Sequence, residues 1–346
     1  MGDGLPASDS GYIPIQKQQQ SWPEGRKVLE VDLALPKGRI LRGRVVESGT
    51  GRPVAGASVV YEPGPGNPHN RGDYEFRSPV LTDHEGRYAL TVLPGKGLLA
   101  VEAPTPDFIR MPLTGPPSAR SGISRPHGFA RADVPTGEDE AIPEVLIPIR
   151  RGVRLEARVV GPDGRPADGV IGWCVELMAS QLDNWVSPDM FPGGEFRLDG
   201  ADPERAYRVF FVHAKRRLGA LAELKYDPSG PVEVRLQPAA TAKGVVVDAK
   251  GRPVEGVQIL PWVTLTAEGR ELQPEDFDDD GLATVHTMFT MEPLLPSYAP
   301  EFTYDTLIPG VRYYVGAGGS YHPIPILKPG EVRDLGEIVS KKREPK

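Results

Sequence analysis

A short phrase that occurs three times along the chain is the feature that most constrains its fold. Each copy is the end of an apolar strand, followed within a few residues by a Gly-Arg-Pro turn. The copies are Gly43-Arg44-Val45-Val46 with Gly51-Arg52-Pro53, Ala157-Arg158-Val159-Val160 with Gly164-Arg165-Pro166, and Gly244-Val245-Val246-Val247 with Gly251-Arg252-Pro253. They lie about a hundred residues apart, which is the size of a small domain rather than of a solenoid turn. The repeat therefore predicts three related β-domains in tandem.

The composition favours domains made of short strands joined by tight turns. Of the 346 residues, 40 are Gly and 38 are Pro, about twice the usual share. Residues of these two types end strands and form turns. Disorder is the competing interpretation, but 39% of the residues are hydrophobic, and many of them are Val, Leu and Ile in alternating runs. The chain therefore contains enough apolar residues to form cores.

Charge, hydropathy and cysteine content exclude several kinds of site and partner. The net charge of −7 argues against a nucleic-acid partner, because phosphate neutralisation needs clustered Lys and Arg. No run approaches the roughly 18 apolar residues of a membrane span, and residues 1–20 lack the basic start and apolar centre of a secretory signal. Cys174 is the one cysteine, which excludes an intramolecular disulfide and any multi-cysteine metal site.

Period-2 alternation predicts which strand residues face the cores. In the second copy, Val153, Leu155, Ala157 and Val159 alternate with Arg154, Glu156 and Arg158, as in a strand with one buried face. The matching inward residues are Leu41, Gly43 and Val45 in the first copy, and Ala242, Gly244 and Val246 in the third. Cys174 falls on the inward register of the next strand, so we expect it to be a small buried hydrophobe.

These elements give a division of the chain. We predict a polar lead with one strand over residues 1–38, β-sandwiches over 39–150, 151–237 and 238–340, and a basic tail over 341–346. Residues 28–35 form the strand of the lead. They have one apolar face, which we expect to pair with an edge of the first sandwich. The alternatives are a frayed terminal segment and the final strand of a missing upstream repeat. The Pro-, Gly- and charge-rich inserts at 102–140 and 264–300 are predicted to be irregular.

The order of these motifs carries a resemblance to a known family. A strand ending Gly43-Arg44-Val45-Val46, the Gly51-Arg52-Pro53 turn, the run from Thr82 to Tyr88 and the Pro94-Gly95 corner resemble the carboxypeptidase regulatory-like domain. That family belongs with the transthyretin-like (prealbumin) and Cna-B-like sandwiches. The resemblance covers 39–101, and 238–262 with 302–338; in 151–237 it is confined to the opening phrase.

The resemblance implies the fold class and a general role. It implies antiparallel β-sandwiches of about seven strands, used as accessory modules in larger bacterial-type surface or secreted proteins, and hence an extracytoplasmic location. The family name comes from a domain attached to a zinc peptidase, so it implies no peptidase activity.

No catalytic motif accompanies the repeat. The six histidines show neither the His-x-x-Glu nor the His-Glu-x-x-His spacing of a zinc site, and we expect them to be scattered over the surface. A Gly-x-Ser-x-Gly nucleophile motif is absent. We therefore predict no catalytic residues, no cofactor and no enzymatic activity.

An acidic cluster is the one candidate metal site. Asp276, Asp278 and Asp280, followed by Gly281, imitate the start of a calcium-binding loop, in which carboxylates alternate before a glycine. The closing Glu is absent, and Thr287 stands in its place. A solvated acidic loop is therefore the favoured interpretation, with these three residues as the candidate ligands.

An internal covalent bond is a feature of some related folds. Cna-B-like domains can carry an internal bond between a Lys of the first strand and an Asn or Asp, and only Lys243 occupies such a place here. Alternation points Lys243 outward, so we expect no such bond.

Sugars stack on exposed aromatic rings, and Trp185, in a loop with Asp183 and Asn184, is the best candidate for such a site. Trp173 and Trp262 lie in predicted strands, where packing accounts for them.

The sequence therefore predicts a non-enzymatic structural or interaction module whose partner is an unidentified protein or polysaccharide. The alternative is a carbohydrate-binding module of a starch-binding-like fold, which exposed coplanar aromatic rings would distinguish. An enzyme would require a pocket with convergent titratable groups, and no motif in the sequence indicates one.

Overall fold

The chain is all-β. The computed structural model describes residues 11–13, 35, 37–64, 66–70, 79–109, 130–134, 143–174, 189–255, 259–265, 287–289, 298–317 and 320–340. In these ranges every regular element is a strand, apart from two 3-10 turns at Pro192–Gly194 and Ala214–Arg216. The predicted fold class is confirmed. The described residues up to Gly152 form one compact unit, and those from Val153 onward form another.

The first unit is a two-sheet sandwich. One sheet has the strand order β4-β1-β7 and the other β3-β2-β5-β6, and both contribute to one apolar core that includes Leu41, Val59 and Leu99. The strands are β1 (Arg39–Glu47), β2 (Ser58–Pro63), β3 (Val80–Leu81), β4 (Arg87–Val92), β5 (Gly97–Glu102), β6 (Ala130–Val134) and β7 (Val145–Ile149).

The segment predicted to be a polar lead contributes to this core. Ile13 is fully buried among the core residues. The Gly38 N–H donates to the Gly11 carbonyl at 2.9 Å, and Tyr12 pairs with Lys37 in an antiparallel bridge. The apolar run Tyr12-Ile13-Pro14-Ile15 is too short to give a periodic signal, which is why the sequence did not predict this contact. The predicted strand at 28–35 lies outside the described residues, except for Leu35.

The second unit begins with a sandwich of strand orders β11-β8-β14 and β10-β9-β12-β13-β15. Leu155 and Val159 lie in its core at 1% and 0% exposure, while Arg154, Glu156 and Arg158 are exposed. The predicted inward register is thus confirmed, and Cys174 is buried as expected. The strands are β8 (Val153–Val160), β9 (Val170–Cys174), β10 (Asp189–Phe191), β11 (Glu195–Ala201), β12 (Ala206–His213), β13 (Leu218–Lys225), β14 (Val232–Arg235) and β15 (Gln237–Pro238).

The same unit continues with a third pair of sheets. Their strand orders are β19-β16-β22 and β18-β17-β20-β21, and their core includes Ala242, Val246, Tyr313 and Val315. The strands are β16 (Ala240–Val247), β17 (Ile259–Leu265), β18 (Thr287–Phe289), β19 (Glu301–Leu307), β20 (Tyr313–Ala317), β21 (Ser320–Ile324) and β22 (Val332–Val339).

The repeated Gly-Arg-Pro phrase is the same turn in all three sandwiches. Its proline bridges back to the end of the first strand, in the pairs Val46↔Pro53, Val160↔Pro166 and Val247↔Pro253. Its glycine has a positive φ, between 67° and 75° in Gly51, Gly164 and Gly251, a conformation that other residues adopt only with strain. The phrase therefore recurs because the backbone reverses in the same way three times.

Candidate functional site: paired terminal strands and the joint between two sandwiches

In each sandwich two strands that we call the terminal strands lie side by side and run parallel: the first strand, and the last strand that is longer than two residues. In the second sandwich the latter is β14, which the two-residue strand β15 follows. Strand β1 pairs with β7 from Gly43↔Val145 to Glu47↔Ile149. Strand β8 pairs with β14 from Ala157↔Val232 to Val160↔Arg235, and β16 pairs with β22 from Thr241↔Val332 to Val247↔Val339. The other strand pairs of the described residues are antiparallel. One parallel pair of terminal strands is thus a shared feature of the three sandwiches.

A small residue in the first strand makes room for an aromatic side chain from its other neighbour. The Cα partners are Gly43↔Tyr88, Ala157↔Phe196 and Gly244↔Phe302. A Cβ atom on Gly43 would collide with the Tyr88 ring and with the Val145 carbonyl, and one on Gly244 would lie 2.9 Å from Cζ of Phe302. The glycine that opens the first and the third copy of the sequence phrase is therefore required by a ring lying across the first strand, and the second copy has the small residue Ala157 opposite Phe196.

In the first sandwich this ring also contacts the last strand. The Tyr88 hydroxyl donates to the Val145 carbonyl at 3.1 Å. Burial raises the pKa of Tyr88, and the negative charge of Glu144 raises it further, so the hydroxyl keeps its proton and remains a donor. Tyr88 thus joins β4 to β7 across the top of β1.

Each parallel ladder is closed by one more main-chain hydrogen bond. The Ser48 N–H donates to the Ile149 carbonyl at 2.7 Å, and the Ser340 N–H donates to the Val247 carbonyl at 2.9 Å. In the second sandwich the Leu236 N–H donates to Val160 at 2.8 Å. The pairing therefore continues one residue beyond the strands themselves.

The chain passes from the second sandwich to the third without a loop. Single residues, Leu236 and Ala239, separate β14, β15 and β16. Strand β15 is itself part of the second sandwich, because it pairs with β13 through Leu218↔Pro238 and Gly219↔Gln237. A connection that is hydrogen-bonded into a sheet has little freedom to bend.

An apolar contact fixes the same joint. Phe210 and Val212 of β12, at 3% and 1% exposure, belong to the core cluster of the third sandwich, together with Ile308. Their neighbour Phe211 points the other way, into the core of the second sandwich. Arg217 and Asp305 add an ion pair of 2.6 Å at the edge of this contact. Strand β12 therefore buries both of its faces, one in each sandwich.

The sequence-predicted ligand residues lie outside the part of the chain that the structure describes. They are Asp276, Asp278 and Asp280, the candidate metal ligands, and Trp185, the candidate for stacking on a sugar. Trp173 and Trp262 lie in β9 and β17, where only the backbone is described. Among the described side chains, no group of three or more His, Cys, Asp or Glu is close enough to hold a metal ion.

Lys243 points outward, as alternation predicted. Its side chain is half exposed, and its Nζ lies 3.3 Å from Oδ2 of Asp334 on the last strand. The two residues are direct partners in the parallel ladder. Their contact is therefore a surface ion pair across the terminal strands of the third sandwich.

His213 does not lie on the surface, contrary to the expectation for the histidines. It is the last residue of β12 and is 8% exposed. Alternation along β12 places it on the same face as Phe211, which packs into the core of the second sandwich. Burial lowers its pKa, and the nearby Arg216 guanidinium lowers it further, while Asp168 opposes the shift. His84, by contrast, is exposed.

A cleft of about 550 Å³ lies in the first sandwich beside β1, β3 and β4. Two of its charged residues form an ion pair, in which Nε of Arg87 lies 3.0 Å from Oδ2 of Asp83. The main-chain N–H of Arg87 is the largest cause of the lowered pKa of Asp83, so this carboxylate stays ionised and holds a turn.

Helices do not provide a membrane anchor in the described part of the chain, since none there combines the necessary length and hydrophobicity.

Comparisons with known proteins give only distant structural likenesses. No family profile and no curated protein matches the sequence. Among solved structures, the chain is similar to the TIE protein of Bacillus anthracis, at 13% identity and a TM-score of 0.22, covering 88% of this chain and 51% of that one. It therefore spans about half the length of that protein.

Two pilins are similar to the same degree. One is the major pilin SpaD of Corynebacterium diphtheriae, at 9% identity and a TM-score of 0.24, with 88% of this chain and 98% of the pilin covered. The other is the major pilin subunit BcpA of Bacillus cereus, at 10% identity and a TM-score of 0.20, with 88% of this chain and 100% of the pilin covered. The fold of this chain, a series of two-sheet β-sandwiches, rests on its own strand pairing.

Proposed function

We propose that this chain is a non-enzymatic structural segment of a larger surface or secreted protein, in which β-sandwiches act as rigid spacers. The observation that carries this proposal is the joint between the second and third sandwiches. There the connecting residues are hydrogen-bonded into a sheet, and Phe210 and Val212 are buried against the neighbouring core.

The chemistry of the joint explains why it would be stiff. Fully burying a large apolar side chain contributes about 1.5–3 kcal/mol, so separating the two sandwiches at Phe210 and Val212 would expose apolar surface to water. Domains of one chain that share only a small polar interface move relative to one another by default. Here the interface is apolar and the linker is a strand, which favours a fixed orientation.

The finer assignment follows the sequence motifs. We propose three tandem domains at 39–150, 151–237 and 238–340, related to the carboxypeptidase regulatory-like domain and placed outside the cytoplasm. Three sheet pairs and three core clusters support the domain count. The partner is an unidentified protein or polysaccharide. No observation favours the carbohydrate-binding alternative, whose best candidate, Trp185, lies outside the described residues.

The proposal is tested by amide nitrogen relaxation measured on the full chain. We expect the amides of 153–235 and those of 240–340 to share one rotational correlation time, as parts of a single rigid body. Independent tumbling of the two sandwiches would contradict a spacer function.

Two neighbouring phenylalanines provide matched variants. Phe210→Ala removes a contact between the sandwiches, so we expect the correlation times to separate while the amide shifts of β8 and β11 remain. Phe211→Ala removes a ring from the core of the second sandwich, and should lower its stability by about 3–5 kcal/mol. If both variants behave alike, the joint does not depend on the outward face of β12.

A further inference from the structure

We propose that the parallel pair of terminal strands in each sandwich is a mechanical clamp that resists tension along the chain. The inference rests on the proposed spacer function, because a spacer joining parts of a larger protein transmits tension between its two ends. It adds a property that rigidity alone does not supply, namely resistance to unfolding when the ends are pulled apart.

The direction of the strands decides how tension acts on their hydrogen bonds. Strand β1 begins at Arg39, and strand β7 ends at Ile149. Because β1 and β7 are parallel, these two points lie at opposite ends of the ladder. Tension therefore slides the strands past each other and strains all of their evenly spaced hydrogen bonds at once. In an antiparallel pair, entry and exit would share one end, and the bonds would break one after another.

A buried side-chain pair lies beneath each ladder. The Cα partners Val45↔Ile147, Val159↔Val234 and Val246↔Ile338 are all exposed by 5% or less. Sliding the strands would move these side chains out of register with the core and expose apolar surface. Resistance to shear thus comes from packing as well as from the hydrogen bonds.

The three ladders differ in length. The second sandwich has four paired positions, the first has five and the third has six. The closing hydrogen bonds at Ser48, Leu236 and Ser340 extend each by one, and the Lys243–Asp334 ion pair crosses the longest. If the ladder is the resisting element, the second sandwich should yield at the lowest force and the third at the highest.

Pulling one sandwich in two directions tests the clamp. Two double variants of the full chain supply cysteine handles for single-molecule force spectroscopy, with Cys174 buried and unreactive. Lys37→Cys with Arg150→Cys places the handles at opposite ends of the β1–β7 ladder. Thr50→Cys with Arg150→Cys places both at the same end. All three positions are exposed, and denaturation of both variants checks that their equilibrium stabilities agree.

We expect the first variant to require severalfold more force to unfold than the second. Equal forces in the two directions would overturn the clamp, because equilibrium stability is the same and only the direction of strain differs. Equal forces would not contradict the spacer proposal, because that proposal depends on the joint between the sandwiches and is tested by the relaxation data. If the two sandwiches tumble independently while the unfolding force still depends on the direction of pulling, the spacer function would be rejected and the clamp would be supported.

Pulling the unmodified chain by its ends gives a second readout. The sandwiches at 39–150, 151–237 and 238–340 would release about 390, 300 and 360 Å of chain in that order, less their folded lengths, at roughly 3.5 Å per residue. These increments identify each unfolding event. We expect the shortest increment at the lowest force, and a third sandwich that yields first would overturn the assignment of the ladder as the resisting element.

Discussion

Lys243, in the first strand of the third sandwich, lies opposite Asp334 in the last strand, with 3.3 Å between Nζ and Oδ2. Both side chains are at least half exposed to water. The Gly336 N–H and the Lys243 ammonium lower the pKa of Asp334, in that order. The pair therefore consists of a charged amine and a charged carboxylate, whereas an amide bond forms between the neutral groups in a dry environment.

We predict that Lys243 and Asp334 are not covalently joined. The intact mass of the purified chain should equal the mass calculated from its sequence. A mass lower by one water, with Lys243 and Asp334 recovered in a single cross-linked peptide after digestion, would contradict this prediction.

Gly43→Ala should destabilise the first sandwich by about 1–3 kcal/mol, because the added methyl group overpacks the space between Tyr88 and the Val145 carbonyl. Gly244→Ala is the matched variant in the third sandwich. Its methyl group would meet Phe302 and the Gly336 carbonyl at 2.9 Å and 3.0 Å, which smaller shifts relieve. Denaturant unfolding should therefore show the larger loss for Gly43→Ala. The reverse order would show that the ring does not constrain this position.

Val159→Asp should unfold the second sandwich. Val159 is fully buried, and a carboxylate there has no partner in an apolar core, so we expect a loss of more than about 4 kcal/mol. Arg158→Asp is the control, because Arg158 is exposed on the opposite face of β8. A thermal melt of Val159→Asp that matches the wild-type melt would show that the register of this strand is wrong.

The stability of the second sandwich should fall on acidification because of His213. Its pKa is lowered in the folded chain, mainly by burial, whereas the unfolded side chain titrates near 6.5. Below about pH 6.5 the unfolded state binds the extra proton, so the stabilisation is complete above that pH and is lost as the pH falls. His213→Gln should weaken the fall of the melting temperature with decreasing pH below about 6.5. His84→Gln, at an exposed site, should keep the wild-type slope, and an equal slope in all three proteins would exclude His213 as the cause.

Removing metal ions should leave the protein unchanged. Asp276, Asp278 and Asp280 lack the closing carboxylate of a calcium loop, so we expect the melting temperature to be the same with and without a chelator. A drop of several degrees that calcium reverses, and that Asp278→Asn abolishes, would instead identify these residues as ligands.

The sequence by itself determined the strands, their inward faces and the turns that end them. In β8 every second residue is apolar, so one face had to be buried, and the structure buries Leu155 and Val159 there. The Gly-Arg-Pro phrase predicted a turn, and the chain reverses there in all three copies, where the structure adds a positive φ at the glycine. These features depend on neighbouring residues alone, which is why local patterns were sufficient to predict them.

Some signals were present in the sequence but were not interpreted. The run Val209-Phe210-Phe211-Val212 has no polar residue, and such a run indicates a strand that is buried on both faces. An aromatic residue follows two positions after Gly86 and after Gly194, and it is this ring that lies over the small residue of the first strand. Period-2 alternation identifies strands with one buried face, so it predicts neither the second buried face of β12 nor the ring over the first strand.

Only the tertiary structure decided which strands are neighbours and in which direction they run. The alternation of β1 and of β7 is the same whether the two strands are parallel or antiparallel, because side chains repeat every second residue in both arrangements. Pairing of Gly43 with Val145 joins residues about a hundred positions apart, and the burial of Ile13 joins a polar segment to a distant core. Such contacts are selected by the packing of the whole sandwich, since the free energy of each depends on residues that no local pattern contains.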